Sequence, residues 1–164
     1  MENLVKAVFC SVLVLSAVGI VHGAPAQEGG TTFKDVEGKE WILSEFVSAG
    51  KTVRMDRQKL ELDNLGGVYT IQFQEDRQSG NRVSGMGAPN RYFGPYTVGA
   101  NRSLSIGNLA STMMMAFREP DGLRENEYFN YLSKVTRWDL RNGKLELYSS
   151  GNNRAETVLV FSPK

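Results

Sequence analysis

The sequence predicts an α+β domain built on a mostly antiparallel, partly barrel-like β-sheet with one packed helix. Three observations carry this. "VYTIQFQ" (68–74) alternates Tyr69, Ile71 and Phe73 with Thr70, Gln72 and Gln74, the period of a half-buried strand. Asn142-Gly143 sits between two β-forming runs and is a strong hairpin signal, because both residues tolerate positive φ. A single helical pattern follows Pro120 and interrupts the strands. Strands, one helix or helical hairpin, and then a three-strand meander fit α+β and not a βαβ series. Many short strands can curl into a partial barrel.

The elements follow in order. The first 26 residues have the layout of a secretory signal peptide: Lys6 near the front, an apolar stretch from Ala7 to Val21, and Ala24-Pro25-Ala26 at A-x-A spacing. Cleavage is expected after Ala26, with Ala24 the weaker site; an uncleaved anchor is the alternative, though the stretch is short for a bilayer span. Export to the periplasm or cell envelope is the expected localisation. Residues 27–35 read as a flexible leader and 36–164 as the domain. "EWILSEF" (40–46) reads as the first strand, and 49–67 is ambiguous, with Leu60, Leu62 and Leu65 in a short strand or a covering loop. "RVSGM", "YFGPYTVG" and "RSLSIG" read as short strands. In 121–135, Tyr128, Phe129, Leu132 and Val135 share one helical face. Asp121 is the expected N-cap, Glu125 and Glu127 lie early and Lys134 late, as the helix dipole favours. "VTRWDL", "LELYS" and "ETVLVF" form the closing meander.

Composition limits the chemistry. Lys plus Arg is 19 and Asp plus Glu 18, a net charge of +1 with both signs interspersed. That gives no support for a nucleic-acid partner. Cys10 and His22 are the single cysteine and histidine, and both fall in the segment expected to be removed. The mature chain would then lack disulfides, Cys–His or Ser–His nucleophile systems, and zinc sites built on those ligands. No catalytic group, metal site or cofactor is expected.

The glycines of "VSGMGAPNRYFGPYTVG" (83–99) imitate a phosphate loop only superficially. The third G-x-G-x-x-G position is Asn90, and a strand-like run follows where a helix is needed. Gly85 and Gly87 read as a bulge or close strand approach, Gly94-Pro95 as a tight turn, and Asn90 as an Asx-type turn.

The same stretch, continued through "ANRSLSIGNLASTMMMAF", resembles the META domain family, which includes HslJ-like heat-shock proteins. That family shows G-x-x-G-C-N-x-x-x-G-x-Y, then L-x-I and T-x-M-x-C. Here Gly85, Asn90, Gly94 and Tyr96 match, followed by Leu104, Ile106, Thr112 and Met114. Trp41, Phe129, Leu132, Leu145 and Leu147 extend the match. Ala88-Pro89 stands where the family usually has Gly-Cys, and Ala116 where it has the second cysteine. The resemblance implies a barrel-like sheet with a helix packed on it, and a stress-associated envelope role without known catalysis. The expected partner is an envelope protein, with a small apolar ligand as the alternative.

Three constellations remain. Met113-Met114-Met115 invites a copper(I) reading, but consecutive thioethers do not converge on one ion, and core packing at a helix start is the ordinary expectation. Tyr92, Phe93, Tyr128 and Tyr131 are candidates for a ligand pocket or partner surface. Glu75 with Asp76, and Glu125 with Glu127, are carboxylate neighbours in sequence only.

Overall fold

The computed structural model describes residues 30–75, 80–116, 118–151 and 156–164. The expected signal peptide, Asp76 and residues 152–154 of the turn expected at 150–154 lie outside them. Among the described residues ten strands and two helices follow a short 3₁₀ turn, Phe33–Asp35. The strands are β1 (Glu40–Ser48), β2 (Lys51–Arg54), β3 (Thr70–Gln74), β4 (Arg82–Met86), β5 (Arg91–Val98), β6 (Leu104–Ile106), β7 (Ala110–Ser111), β8 (Val135–Arg141), β9 (Lys144–Ser150) and β10 (Glu156–Pro163). Helix α1 (Arg57–Leu62) lies between β2 and β3, and α2 (Glu125–Leu132) between β7 and β8.

The sheet order is β6-β5-β4-β3-β1-β10-β9-β8, with β2 paired to β1 and β7 to β5. Every pairing is antiparallel. The two outer strands then meet. Ser103 bridges Arg137, and the Trp138 N–H donates to the Arg102 carbonyl at 3.0 Å. The Arg102 guanidinium pairs with buried Asp139, which also accepts from Arg141 Nε at 2.6 Å. The result is the barrel-like sheet the sequence predicts, nearly closed and fastened at the seam by one backbone bridge and one ion-pair cluster.

Period two builds the interior. Along β5, Tyr92, Gly94 and Tyr96 are buried while Arg91, Phe93 and Pro95 are exposed. Ile71 and Phe73 of β3, and Leu145 and Leu147 of β9, also enter the core. The hairpin between β8 and β9 turns on Asn142 (φ 51°) and Gly143 (φ 74°), the conformation that residue pair predicts.

Several expectations are corrected. Phe33, assigned to the leader, is buried against Phe73, Tyr96 and Trp138 at ring distances of 5.1, 5.6 and 5.0 Å. The ambiguous stretch forms β2 and α1, with Leu60 inward and Leu62 in solvent. Asp56 caps α1, accepting from the Lys59 N–H at 3.0 Å. Helix α2 begins at Glu125, not after Asp121, whose carboxylate pairs with Lys59 instead. Lys134 lies beyond the helix, and Val135 opens β8. Gly94-Pro95 is not a turn but the middle of β5. Gly94 is required there because a Cβ would stand 2.8 Å from the Asn108 carbonyl of the crossing chain.

Gly85 is the tightest position. A Cβ on it would lie 2.0 Å from the Thr70 carbonyl oxygen and 2.8 Å from the Tyr92 hydroxyl. Gly85→Ala is expected to cost at least about 2 kcal/mol by forcing β3 and β4 apart. Gly67→Ala, where a Cβ meets nothing within 4 Å, is the control. Urea denaturation of the two variants checks the difference.

Candidate functional site

The site is built outward from the Thr70 carbonyl. It accepts from the Tyr92 hydroxyl at 2.8 Å and the Tyr128 hydroxyl at 3.2 Å, and the two hydroxyls lie 3.1 Å apart. One acceptor on β3 therefore holds a side chain from β5 and one from α2. The Tyr92 ring meets Tyr128 at 5.9 Å and Phe129 at 5.3 Å, and Tyr69 meets Tyr128 at 5.0 Å. The Tyr69 hydroxyl donates to the Leu123 carbonyl at 2.5 Å, fixing the chain just before α2.

Docking α2 here delivers Glu125 to the segment 88–90. Its Oε1 accepts from the N–H groups of Ala88 (2.6 Å) and Asn90 (2.7 Å), and its Oε2 from Asn90 Nδ2 (2.7 Å). Asn90 is buried and completes the node on its other side. Its Oδ1 accepts from Thr112 Oγ1 at 2.8 Å and from the Met114 N–H at 2.7 Å, and its Nδ2 also reaches the Met114 carbonyl at 3.1 Å. Asn90 thus has no local Asx turn; its side-chain partners lie 22 to 35 residues away. Gly87 is needed beside it, because a Cβ would stand 2.5 Å from Glu125 Oε1 and 2.7 Å from the Phe129 ring.

The node displays a surface. Residues 112–116 have no regular structure, and Met113, Met114 and Met115 are 98%, 53% and 94% exposed. This overturns the expectation of core packing at a helix start. The segment is anchored by Thr112 and by the backbone of Met114, and none of the three methionine side chains belongs to the core. Segments 88–90 and 112–116 lie side by side through the Asn90 bonds.

The candidate pocket residues do not converge. Tyr92 and Tyr128 are buried, and their rings fill the space between α2 and the sheet. Phe93 faces outward on β5 and is 47% exposed, with the Arg82 guanidinium 4.4 Å from its ring centre. Tyr131 is half-buried against Phe46 at 6.3 Å. Phe93, Pro95, Arg82 and Asn108 border an open cleft of about 310 Å³ on the outer face. The remaining signature positions are packing residues. Trp41 donates Nε1 to the Val36 carbonyl at 3.0 Å, and Tyr96 donates to Glu37 at 2.7 Å. Leu104, Ile106 and Leu132 are core, and Phe129 packs at its margin. Glu125 and Glu127 do not form an acid–base pair, for Glu127 accepts from the Arg124 N–H at 3.0 Å. Among the described residues no group of three or more His, Cys, Asp or Glu side chains could hold a metal ion.

Two contributors were missed from the sequence. Glu125 read as a dipole residue, although its carboxylate organises the node. Arg57 read as part of a polar stretch, yet its half-buried guanidinium donates to the carbonyls of Leu43 and Val68, each at 3.1 Å. Burial holds that guanidinium below the ordinary arginine range.

The META domain family model matches residues 34–163, so the chain belongs to the META domain family. It is similar to a protein from Burkholderia xenovorans solved by NMR, at 22% identity and a TM-score of 0.57, over 86% of this chain and 97% of that one. It is also similar to a DUF4847 family protein from Bacteroides vulgatus, at 15% identity and a TM-score of 0.50, over 79% and 95%. At these identities the likeness is one of fold. A search of curated proteins finds no match.

Asn90→Ala is expected to cost about 2 kcal/mol, since it removes hydrogen bonds to a carboxylate. Asn90→Asp is expected to cost more, because a second carboxylate would replace the amide donating to Glu125 at 2.7 Å. Denaturation at neutral pH orders the two, and amide exchange at Met114 reports release of the loop.

The tyrosines set an alkaline limit. Burial raises the hydroxyls of Tyr69, Tyr92, Tyr96, Tyr128 and Tyr148 above the ordinary phenol value, with Glu37 adding to the effect on Tyr96 and Glu146 on Tyr148. The fold thus prefers the neutral phenol. That stabilisation is complete below the unfolded value of about 10 and is lost as pH rises past it toward the raised folded values. Stability should fall steeply above pH 10, with tyrosinate absorbance appearing together with unfolding. A titration in which most of the phenols ionise near pH 10 in a still-folded protein would contradict this.

Proposed function

We propose that this chain is an exported, non-catalytic cell-envelope protein of the META type that binds an apolar segment of another envelope protein through Met113–Met115. The single observation that carries the reading is the exposure of three consecutive methionines on a segment whose backbone is anchored by Asn90. Exposed apolar clusters mark interaction surfaces, and unbranched thioether side chains adapt to varied apolar partners. Export rests on the N-terminal layout of Lys6, the apolar stretch and Ala24-Pro25-Ala26. A stress-associated role is what the family resemblance implies. Packing of Tyr92, Tyr128 and Phe129 between α2 and the sheet weighs against a small-ligand carrier with its pocket there.

Photo-crosslinking in the native host tests the reading. A photoreactive residue at position 113 or 115 is expected to trap the same discrete envelope polypeptide, while position 62, also exposed on α1, traps none. Equal capture from position 62, or no capture from the methionine loop, would overturn it. Fractionation of the same cells checks export, with a mature N-terminus at Gln27 as the expected result.

A further inference from the structure

The sequence has six methionines, and the fold sorts them. Met55 is buried at 8% exposure, Met86 is partly covered in β4, and Met113 and Met115 stand almost wholly in solvent. Thioether sulfur reacts with two-electron oxidants in proportion to access. The sulfur lone pair attacks one oxygen of hydrogen peroxide. An S–O bond forms as the O–O bond breaks. Sulfur is oxidised by two electrons, and the other oxygen leaves as hydroxide, which takes the proton of the transferred hydroxyl to become water. The product is a polar, chiral sulfoxide in place of a flexible apolar group.

At a buried methionine that change disrupts a core. Here the loop is held by bonds between the Asn90 side-chain amide and the Met114 backbone, and by Thr112 Oγ1, with no thioether involved. An oxygen added at position 113 or 115 displaces no packed neighbour in the core. The segment can therefore change its surface chemistry while its backbone stays fixed.

We infer that Met113 and Met115 are reversible oxidation sites, and that their sulfoxides switch off the apolar contact surface under oxidant without unfolding the domain. This rests on the reading of the loop as the partner surface. Leu62, exposed on α1, carries no sulfur and would keep its apolar character under the same treatment.

The test treats the folded protein with limiting hydrogen peroxide and maps sulfoxides by peptide mass spectrometry. Thermal unfolding and retention on a phenyl matrix are followed in parallel. Sulfoxide at Met113 and Met115 is expected to form at least about tenfold faster than at Met55, following exposure. Retention should fall, the melting temperature should hold, and methionine sulfoxide reductases of both stereochemical classes should restore retention. Met113→Leu/Met115→Leu protein should keep its retention under peroxide. Equal rates at Met55, unchanged retention, or a melting temperature that falls with sulfoxide content would each overturn the inference. The photo-capture assay separates this failure from that of the binding reading. Loss of capture in the reduced protein defeats the binding surface itself, whereas equal capture by reduced and oxidised protein defeats only the switch.

Discussion

The fold depends on one carbonyl group. Thr70 is the first residue of β3. The backbone ladder with β4 runs from Gln74 to Gln72, and beyond it Met86 N–H bonds the Thr70 hydroxyl at 3.1 Å instead. That leaves the Thr70 carbonyl free to accept two phenols, Tyr92 from β5 and Tyr128 from α2. Buried hydroxyls are costly without a partner, so this acceptor decides where the helix can sit. The arrangement fits only because Gly85 has no side chain to compete with the oxygen and the Tyr92 hydroxyl. A glycine on one strand thereby sets the position of a helix contributed from forty residues later in the chain.

From there the dependence runs outward in steps. The helix position fixes Glu125, Glu125 fixes Ala88 and Asn90, and Asn90 fixes the backbone at Thr112 and Met114. Each step exchanges apolar packing for directional hydrogen bonds as the site nears solvent. The outermost step therefore has a defined backbone and exposed methionine side chains. Cation–aromatic contacts decorate the outer wall in a similar way, with Arg82 over Phe93 and Arg137 3.2 Å from the Tyr148 ring centre.

What could be read in advance followed the range of the interactions. Ile71 and Phe73 announced β3 because alternation is a property of neighbours, and Asn142-Gly143 announced its hairpin because the turn is local. The family signature located the segment around Asn90 but not its role, since Thr112, Met114 and Glu125 become its partners only after the chain folds back. Gly94-Pro95 looked like a turn because the crossing chain at Asn108 that demands a glycine there is invisible in sequence. Met113–Met115 looked like core because hydrophobicity alone does not say which side of a surface it occupies. Helix α1 was hidden by its polarity, as only Leu60 of its six residues is buried.

The central strands carry a further consequence. β1 pairs with β10 over seven positions, from Trp41 opposite Pro163 to Ser48 opposite Thr157. The middle of the sheet is thus made from the two most distant strands of the domain. Such pairings raise contact order, because a long loop must close before any bond rewards it. Neither half of the sheet has its inner neighbour until the last strand is present. A chain truncated before Glu156 would leave β1 and β9 without the strand that joins them, so assembly of this barrel is expected to be late and all-or-none, not progressive from the N-terminal end.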